Sequence, residues 1–193
     1  MAQVRLHNWK REISYHANSL EIAHDVDDIV RIVKDRERYP GPVRVKGSHH
    51  STTKCVVNEG GTVIDVTGMN RIVEIDRVSK TITMQAGVLH IDAAKALEAE
   101  GLQFYVNVEI GNMTVGSGAC GGTKDASFYS VAEGWEFGQV ASYASRIKAV
   151  DATGALIEVT DAGPDADGDL MQAMRSSYGM LGVIYEVTFR VKD

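Results

Sequence analysis

Cysteine, tryptophan and proline are scarce in this 193-residue chain, with two, two and three copies. The two cysteines, Cys55 and Cys120, are too few for a disulfide framework or a structural zinc site. They read as reduced thiols, and a cytoplasmic location is expected. No apolar run approaches the length of a membrane span. The first ten residues carry charge and no apolar stretch, so no secretory signal is expected. Aromatic residues make up only 7% and show no stacking periodicity, which leaves Trp9 and Trp135 as core or interface residues. Basic residues neither cluster nor dominate, and the formal net charge is −6. Nucleic acid and anionic membrane are therefore not expected partners. What is present is an ordinary globular composition, 44% hydrophobic and 24% charged, long enough for one or two small domains with a real core.

The segment Arg44-Val45-Lys46-Gly47-Ser48-His49-His50-Ser51 stands out. It reads as a short strand, Val43 to Val45, that breaks into a small-residue loop carrying two adjacent histidines. Gly and Ser leave the loop N–H groups open to an anion. Histidine is the side chain best placed to act as nucleophile or proton carrier near neutral pH. A phosphate-sized cradle with an imidazole on its rim suggests a phosphorylated, redox-active cofactor.

The rest of the chain alternates helices and hairpins. Asp25 caps an amphipathic helix that ends before Pro40-Gly41-Pro42. Thr62–Val66 follows as a strand. Arg71–Ile75 and Thr81–Gln85 form a hairpin. An Ala-rich helix from His90 is closed by Gly101. Arg146–Asp151 and Ala155–Thr160 form a second hairpin around Ala152-Thr153-Gly154. A short helix spans Asp169 to Met174, and Val183 to Val191 is a final strand. The arrangement is α+β.

Gly116-Ser117-Gly118-Ala119-Cys120-Gly121 matches G-x-G-x-x-G by the letter. A dinucleotide fold of the Rossmann type requires a strand directly before it and a helix opening from it. Here Gly111-Asn112 precedes it, and Gly122-Thr123-Lys124-Asp125 interrupts any long helix after it. A packing turn is one reading. The other is a small-residue segment pressed against a flat or phosphorylated ligand, with backbone N–H groups reaching it. Cys120 is either a reactive thiol or a small apolar filler. Lys124 and Arg175 are either phosphate contacts or solvated charges. The two histidines have no third metal ligand at a recognisable spacing.

Three segments now coincide in order. Residues 44–51 resemble the pyrophosphate loop of the vanillyl-alcohol-oxidase (PCMH-type) flavoprotein family. The likeness is greatest to its aldonolactone and alditol oxidase branch, where the loop reads Arg-x-x-Gly-Ser-x-His-Ser. Residues 114–123 resemble the second flavin loop of that branch. Asp169-Leu170, Ala173-Met174-Arg175 and the run 179–188 resemble its closing segment. The spacer 64–72 and Ala86-Gly87-Val88 also fit. Lys124-Asp125 depart from the His-Gly that commonly follows Thr123 in this branch.

The resemblance implies a two-subdomain α+β FAD-binding fold with mostly antiparallel and mixed sheets, divided at about residues 1–68 and 69–193. Backbone groups of Lys46, Gly47, Ser48, His49, His50 and Ser51 would hold the pyrophosphate. Val115, Ser117, Gly118, Gly121, Gly122 and Thr123 would belong to the isoalloxazine and ribityl side, and Gly182, Val183 and Ile184 to the adenine end. His50 matches the histidine that attaches covalently to the flavin 8α-methyl. Family enzymes continue into a cap domain that supplies the substrate pocket, and this chain ends before that point. The implied function is therefore an FAD-dependent oxidoreductase component acting on a polyol or sugar lactone, with reoxidation by O₂ or another acceptor. Its substrate site would come from a partner chain or a homo-oligomer. The alternatives are a stand-alone or excised flavin-binding module and, more distantly, a nicotinamide-binding fold.

Overall fold

Asp25 starts the first regular unit. Its carboxylate accepts from the Asp28 N–H at 2.9 Å, which caps a helix whose apolar face, Ile29, Ile32 and Val33, is buried. The computed structural model of the protein describes residues 3–123 and 138–193, together with the backbone of 129–130 and 134–135. Lys124, Asp125 and the Trp135 side chain lie outside the described residues.

In chain order the elements are β1 (Val4–His7), β2 (Ser14–Ala17), β3 (Ser19–Ile22), α1 (Val26–Lys34), β4 (Val43–Lys46), β5 (Thr62–Asp65), β6 (Ile72–Asp76), β7 (Thr81–Gln85) and α2 (His90–Ala99). They continue with β8 (Gln103–Phe104), α3 (Val115–Cys120), β9 (Tyr129–Ser130), β10 (Gly134–Trp135), β11 (Ala144–Val150), β12 (Leu156–Thr160), α4 (Gly168–Arg175) and β13 (Val183–Lys192). The architecture is α+β with both parallel and antiparallel sheets, as the sequence implies.

The parallel sheet has the order β3-β5-β4. Its central strand, Thr-Val-Ile-Asp, is buried at every position, as a parallel strand covered on both faces must be. The antiparallel sheet has the order β12-β11-β13-β7-β6, with β8 added on β13. All the strands of the parallel sheet precede residue 68, and those of the antiparallel sheet follow it. A single hydrophobic cluster joins them, from Ile29 and Ile64 on one side to Ile82, Ile147 and Phe189 on the other. Gly87 marks how tightly they meet: a Cβ there would lie 2.0 Å from the Val66 carbonyl oxygen.

The sequence reading missed the short strands β3, β8, β9 and β10, and two further features that bear on the site. Residues 4–17 form an antiparallel hairpin, β1–β2. Tyr15 and Ala17 of this hairpin pack on Val63 of β5 in a small second core. Its strands are short and flanked by charges, so alternation alone does not reveal them. Residues 115–120 form a helix despite two glycines, because tertiary packing overrides their poor helix propensity. No helix among the described residues is long and apolar enough to cross a membrane.

His90, at the start of α2, is fully buried between Phe104 and Phe189, with ring centroids 5.5 and 6.1 Å away. Its Nε2 has no hydrogen-bond partner among the described residues. Desolvation pushes its pKa down to about 4. Between that value and the ordinary 6.5 the unfolded chain binds the extra proton, so acidification destabilises the fold across this window. The slope from one such group is about 1.4 kcal/mol per pH unit. His90→Leu is expected to remove this component of the loss of stability between pH 6.5 and 4, read as a flatter dependence of the urea midpoint on pH.

Candidate functional site

The parallel sheet ends in the histidine loop because β4 pairs with β5 only as far as Lys46 and Asp65. These two residues close the sheet edge with an ion pair, Nζ to Oδ2 at 2.5 Å, and both are largely buried. Burial raises the Asp65 pKa. The Lys46 ammonium and the Thr67 hydroxyl and N–H outweigh it, and the net shift is downward.

Beyond Lys46 the chain turns sharply. His49 has φ +58°, a left-handed conformation that costs a non-glycine residue about 1 kcal/mol or more. No carbonyl of the described residues accepts from the backbone N–H groups of 48–51. The Ser48 hydroxyl donates to the Asn112 carbonyl at 2.7 Å. Gly47 lies so close to Thr114 that a Cβ would meet its Oγ1 at 2.2 Å. The loop is thereby pressed onto the entrance to α3.

Together these segments wall a cleft of about 420 Å³. Lys46, Gly47, Ser48, His49, His50 and Ser51 line it. Thr114, Gly116, Ser117, Cys120, Gly121 and Thr123 line it as well. Tyr178, Gly179 and Ile184 belong to the lining, as do Val108, Glu109, Ile110 and Met113, which sequence reasoning missed. Residues 105–113 carry no motif, so nothing in the sequence marks them. Tyr178 is visible only as the lead into the last strand, and Gly179 as the start of the run that resembles the closing segment.

The other predicted residues do not line the cleft. Val115 is fully buried in the core. Gly118 backs onto His90, whose Nε2 would be 2.3 Å from a Cβ. Gly122, at φ +63°, lies against the Tyr178 hydroxyl. Gly182 and Val183 sit where β13 begins, and Val183 pairs with Val150 of β11.

The glycine-rich segment differs from the expectation of free N–H groups. Val115, Gly116, Gly118 and Gly121 donate to the carbonyls of Val88, Ala86, Thr114 and Ser117. The glycines are there because neighbours crowd them: a Cβ at Gly116 would be 2.8 Å from that of Ala86. The helix also does not follow a strand of the parallel sheet, which disposes of the Rossmann reading.

Burial favours the neutral forms of His49, His50 and Cys120 in the cleft. Desolvation pushes the His49 pKa down to about 4, with the Lys46 charge adding to it. The His50 pKa is also lowered by burial, against an opposing contact from the Asn112 side chain. Among the described residues the buried His50 Nδ1 has no hydrogen-bond partner. Burial drives the Cys120 thiol up to about 11, and its Sγ donates to the Gly116 carbonyl at 3.3 Å. It is an inert filler, not a reactive thiol. Arg175 is occupied elsewhere, donating to the Ala144 carbonyl at 2.6 Å and to Asp161 at 2.5 Å. Among the described residues no group of three or more His, Cys, Asp or Glu could hold a metal.

An FAD-binding domain is the class to which this fold and cleft point. The family model described as "FAD binding domain" matches residues 19–160, and the chain belongs to that family. FAD is therefore its cofactor. It is 25% identical over 193 residues to L-gulonolactone oxidase of Mus musculus, covering 97% of this chain and 40% of the relative. It is 30% identical over 188 residues to decaprenylphosphoryl-beta-D-ribose oxidase of Mycolicibacterium smegmatis, covering 97% and 39%. Its fold is that of cholesterol oxidase from B. sterolicum, with a TM-score of 0.79 and 18% identity over 99% of this chain and 37% of that one. The chain spans about two-fifths of the length of the curated relatives it matches.

Gly47→Ala is expected to destabilise the fold by about 1–3 kcal/mol through overpacking against Thr114. Adding Thr114→Ala, which deletes the two atoms nearest the new methyl, should restore most of that loss in a double-mutant cycle read by urea unfolding. Asp65→Asn should flatten the acid limb of the stability curve. Its folded pKa is depressed, so its contribution is complete above the ordinary carboxylate value and is lost as pH falls through the folded one.

Proposed function

We propose that the chain is the FAD-holding part of an oxidoreductase whose substrate is an alcohol-type carbon of a polyol or sugar lactone. The observation that carries this reading is the meeting of the loops at 46–51, 114–123 and 178–184 on one cleft. The residues fit the cofactor. The N–H groups of 48–51, free of any described carbonyl, form a nest for an anion such as pyrophosphate. His50 Nδ1 is buried and has no hydrogen-bond partner among the described residues.

On this reading FAD lies between two subdomains, residues 1–68 and 69–193. Lys46, Gly47, Ser48, His49, His50 and Ser51 cradle the pyrophosphate. Ser117, Gly121 and Thr123 contact the isoalloxazine and ribityl side, with Val115, Gly118 and Gly122 setting their position from behind. Ile184 meets the adenine end, supported by Gly182 and Val183. When bound, FAD supplies the two-electron acceptor for alcohol oxidation. His50 Nδ1 is the covalent attachment atom. Its lowered pKa keeps the lone pair available at neutral pH.

The substrate class follows the lactone and ribose oxidations that the two curated relatives are named for. The substrate-covering part comes from another chain or a second copy of this one. A cytoplasmic location belongs to the same reading and is supported by two free thiols.

The purified chain is expected to show flavin absorption bands that stay with the protein after acid precipitation. His50→Ala should release all flavin into the supernatant. Bleaching of the flavin by aldonolactones or polyols would support the oxidoreductase assignment. No bleaching with or without candidate partner chains would make the protein a flavin-binding module instead.

A further inference from the structure

The N-terminal hairpin lies outside the segment matched by the family, residues 19–160, yet it reaches His49, His50 and Ser51. The Trp9 N–H donates to the His49 carbonyl at 3.0 Å. Asn8 is fully buried, and its Nδ2 donates to the Ser51 carbonyl at 3.2 Å. The same side chain accepts from the Ile13 N–H through Oδ1 at 3.1 Å, so one amide ties the hairpin turn to the loop. The Tyr15 hydroxyl lies 3.1 Å from His49 Nε2. The Trp9 and His50 rings are 5.6 Å apart at 47°.

The His49 ring is held by Tyr15, whose hydroxyl shares a hydrogen bond with Nε2. Tyr15 itself is 2% exposed and anchored in the small core with Val63 of β5. The left-handed turn at His49 is thus fixed to the central strand of the parallel sheet.

We infer that the β1–β2 hairpin is a clamp that sets the direction of His50, with Asn8, Trp9 and Tyr15 as positioning residues for the atom that meets the flavin. This rests on the FAD reading above. A residue at φ +58° has nearby right-handed alternatives that would redirect the next side chain. The ring-to-Tyr15 bond and the two carbonyl contacts hold the unusual conformation.

Tyr15→Phe in the full chain removes the hydroxyl alone. Two measurements read the result: FAD affinity from flavin fluorescence, and the rate at which diethyl pyrocarbonate modifies His50 in the FAD-free chain, followed by peptide mass. Loss of one hydrogen bond predicts an affinity weakened about five- to tenfold. His50 modification should rise several-fold while that of the exposed His24 stays at the parent rate, with the melting temperature lowered by only a few degrees. His50 modification at the parent rate, or an equal rise at His24, would overturn the clamp. Should Tyr15→Phe fail to fold, His49→Asn replaces it, because Asn tolerates the left-handed turn and offers no ring to Tyr15. A parent chain that takes up no FAD would sink the FAD reading, and the His50 measurement would still decide the clamp.

Discussion

Gly47 and Thr114 approach so closely that a methyl group between them would lie 2.2 Å from the threonine hydroxyl. That contact joins two sheets of opposite character, one parallel and one antiparallel. Each sheet has its own reason to form, and neither alone makes a cleft. The cleft exists because the loop leaving β4 is driven onto the segment entering α3, with Ser48 bonded to the Asn112 carbonyl beside it. Any side chain at 47 would hold the two walls apart. The small residues of α3 extend the same logic inward, since Gly116 and Gly118 let the helix settle on Ala86 and His90.

The regular elements were legible where periodicity is strong. The capped helix after Asp25, the two hairpins of the antiparallel sheet and the long last strand all appear in the structure close to where the alternation puts them. The histidine loop was legible because its composition is unusual. The wall at 108–113 and the hairpin at 4–17 were not. Their roles arise from tertiary contacts between residues far apart in sequence, such as Asn8 with Ser51, and no local pattern encodes them. The glycines at 116–121 were visible, but the sequence left a packing turn and a ligand-facing segment as alternatives. Their N–H groups serve the protein's own carbonyls, and what matters is the missing side chain. A glycine run looks the same in sequence whether a ligand or a neighbouring helix needs the space.

The buried polar groups divide into two kinds. Lys46 and Asp65 satisfy each other at the sheet edge, and Thr67 completes the carboxylate. Removing either charge would strand the other, which is where buried pairs become costly. His50 Nδ1 and His90 Nε2 are left without partners among the described residues. The first belongs to a residue that lines the cleft and the second is sealed among aromatic rings. The same chemical deficit therefore occurs once at the cleft wall and once inside the packed core.

Lys46 also bears on how the cleft attracts what it binds. Of the two cations among the described lining residues, Lys46 faces Asp65 and Arg44 directs its guanidinium at the carbonyls of Cys55 and Tyr178. The chain as a whole carries a net charge of −6. An anion is therefore met at short range by peptide dipoles of the turn rather than drawn in by a long-range positive field. Such a site selects by shape and by the spacing of N–H groups. Its affinity should be nearly indifferent to ionic strength, since added salt screens distant charges and leaves dipoles in contact almost untouched.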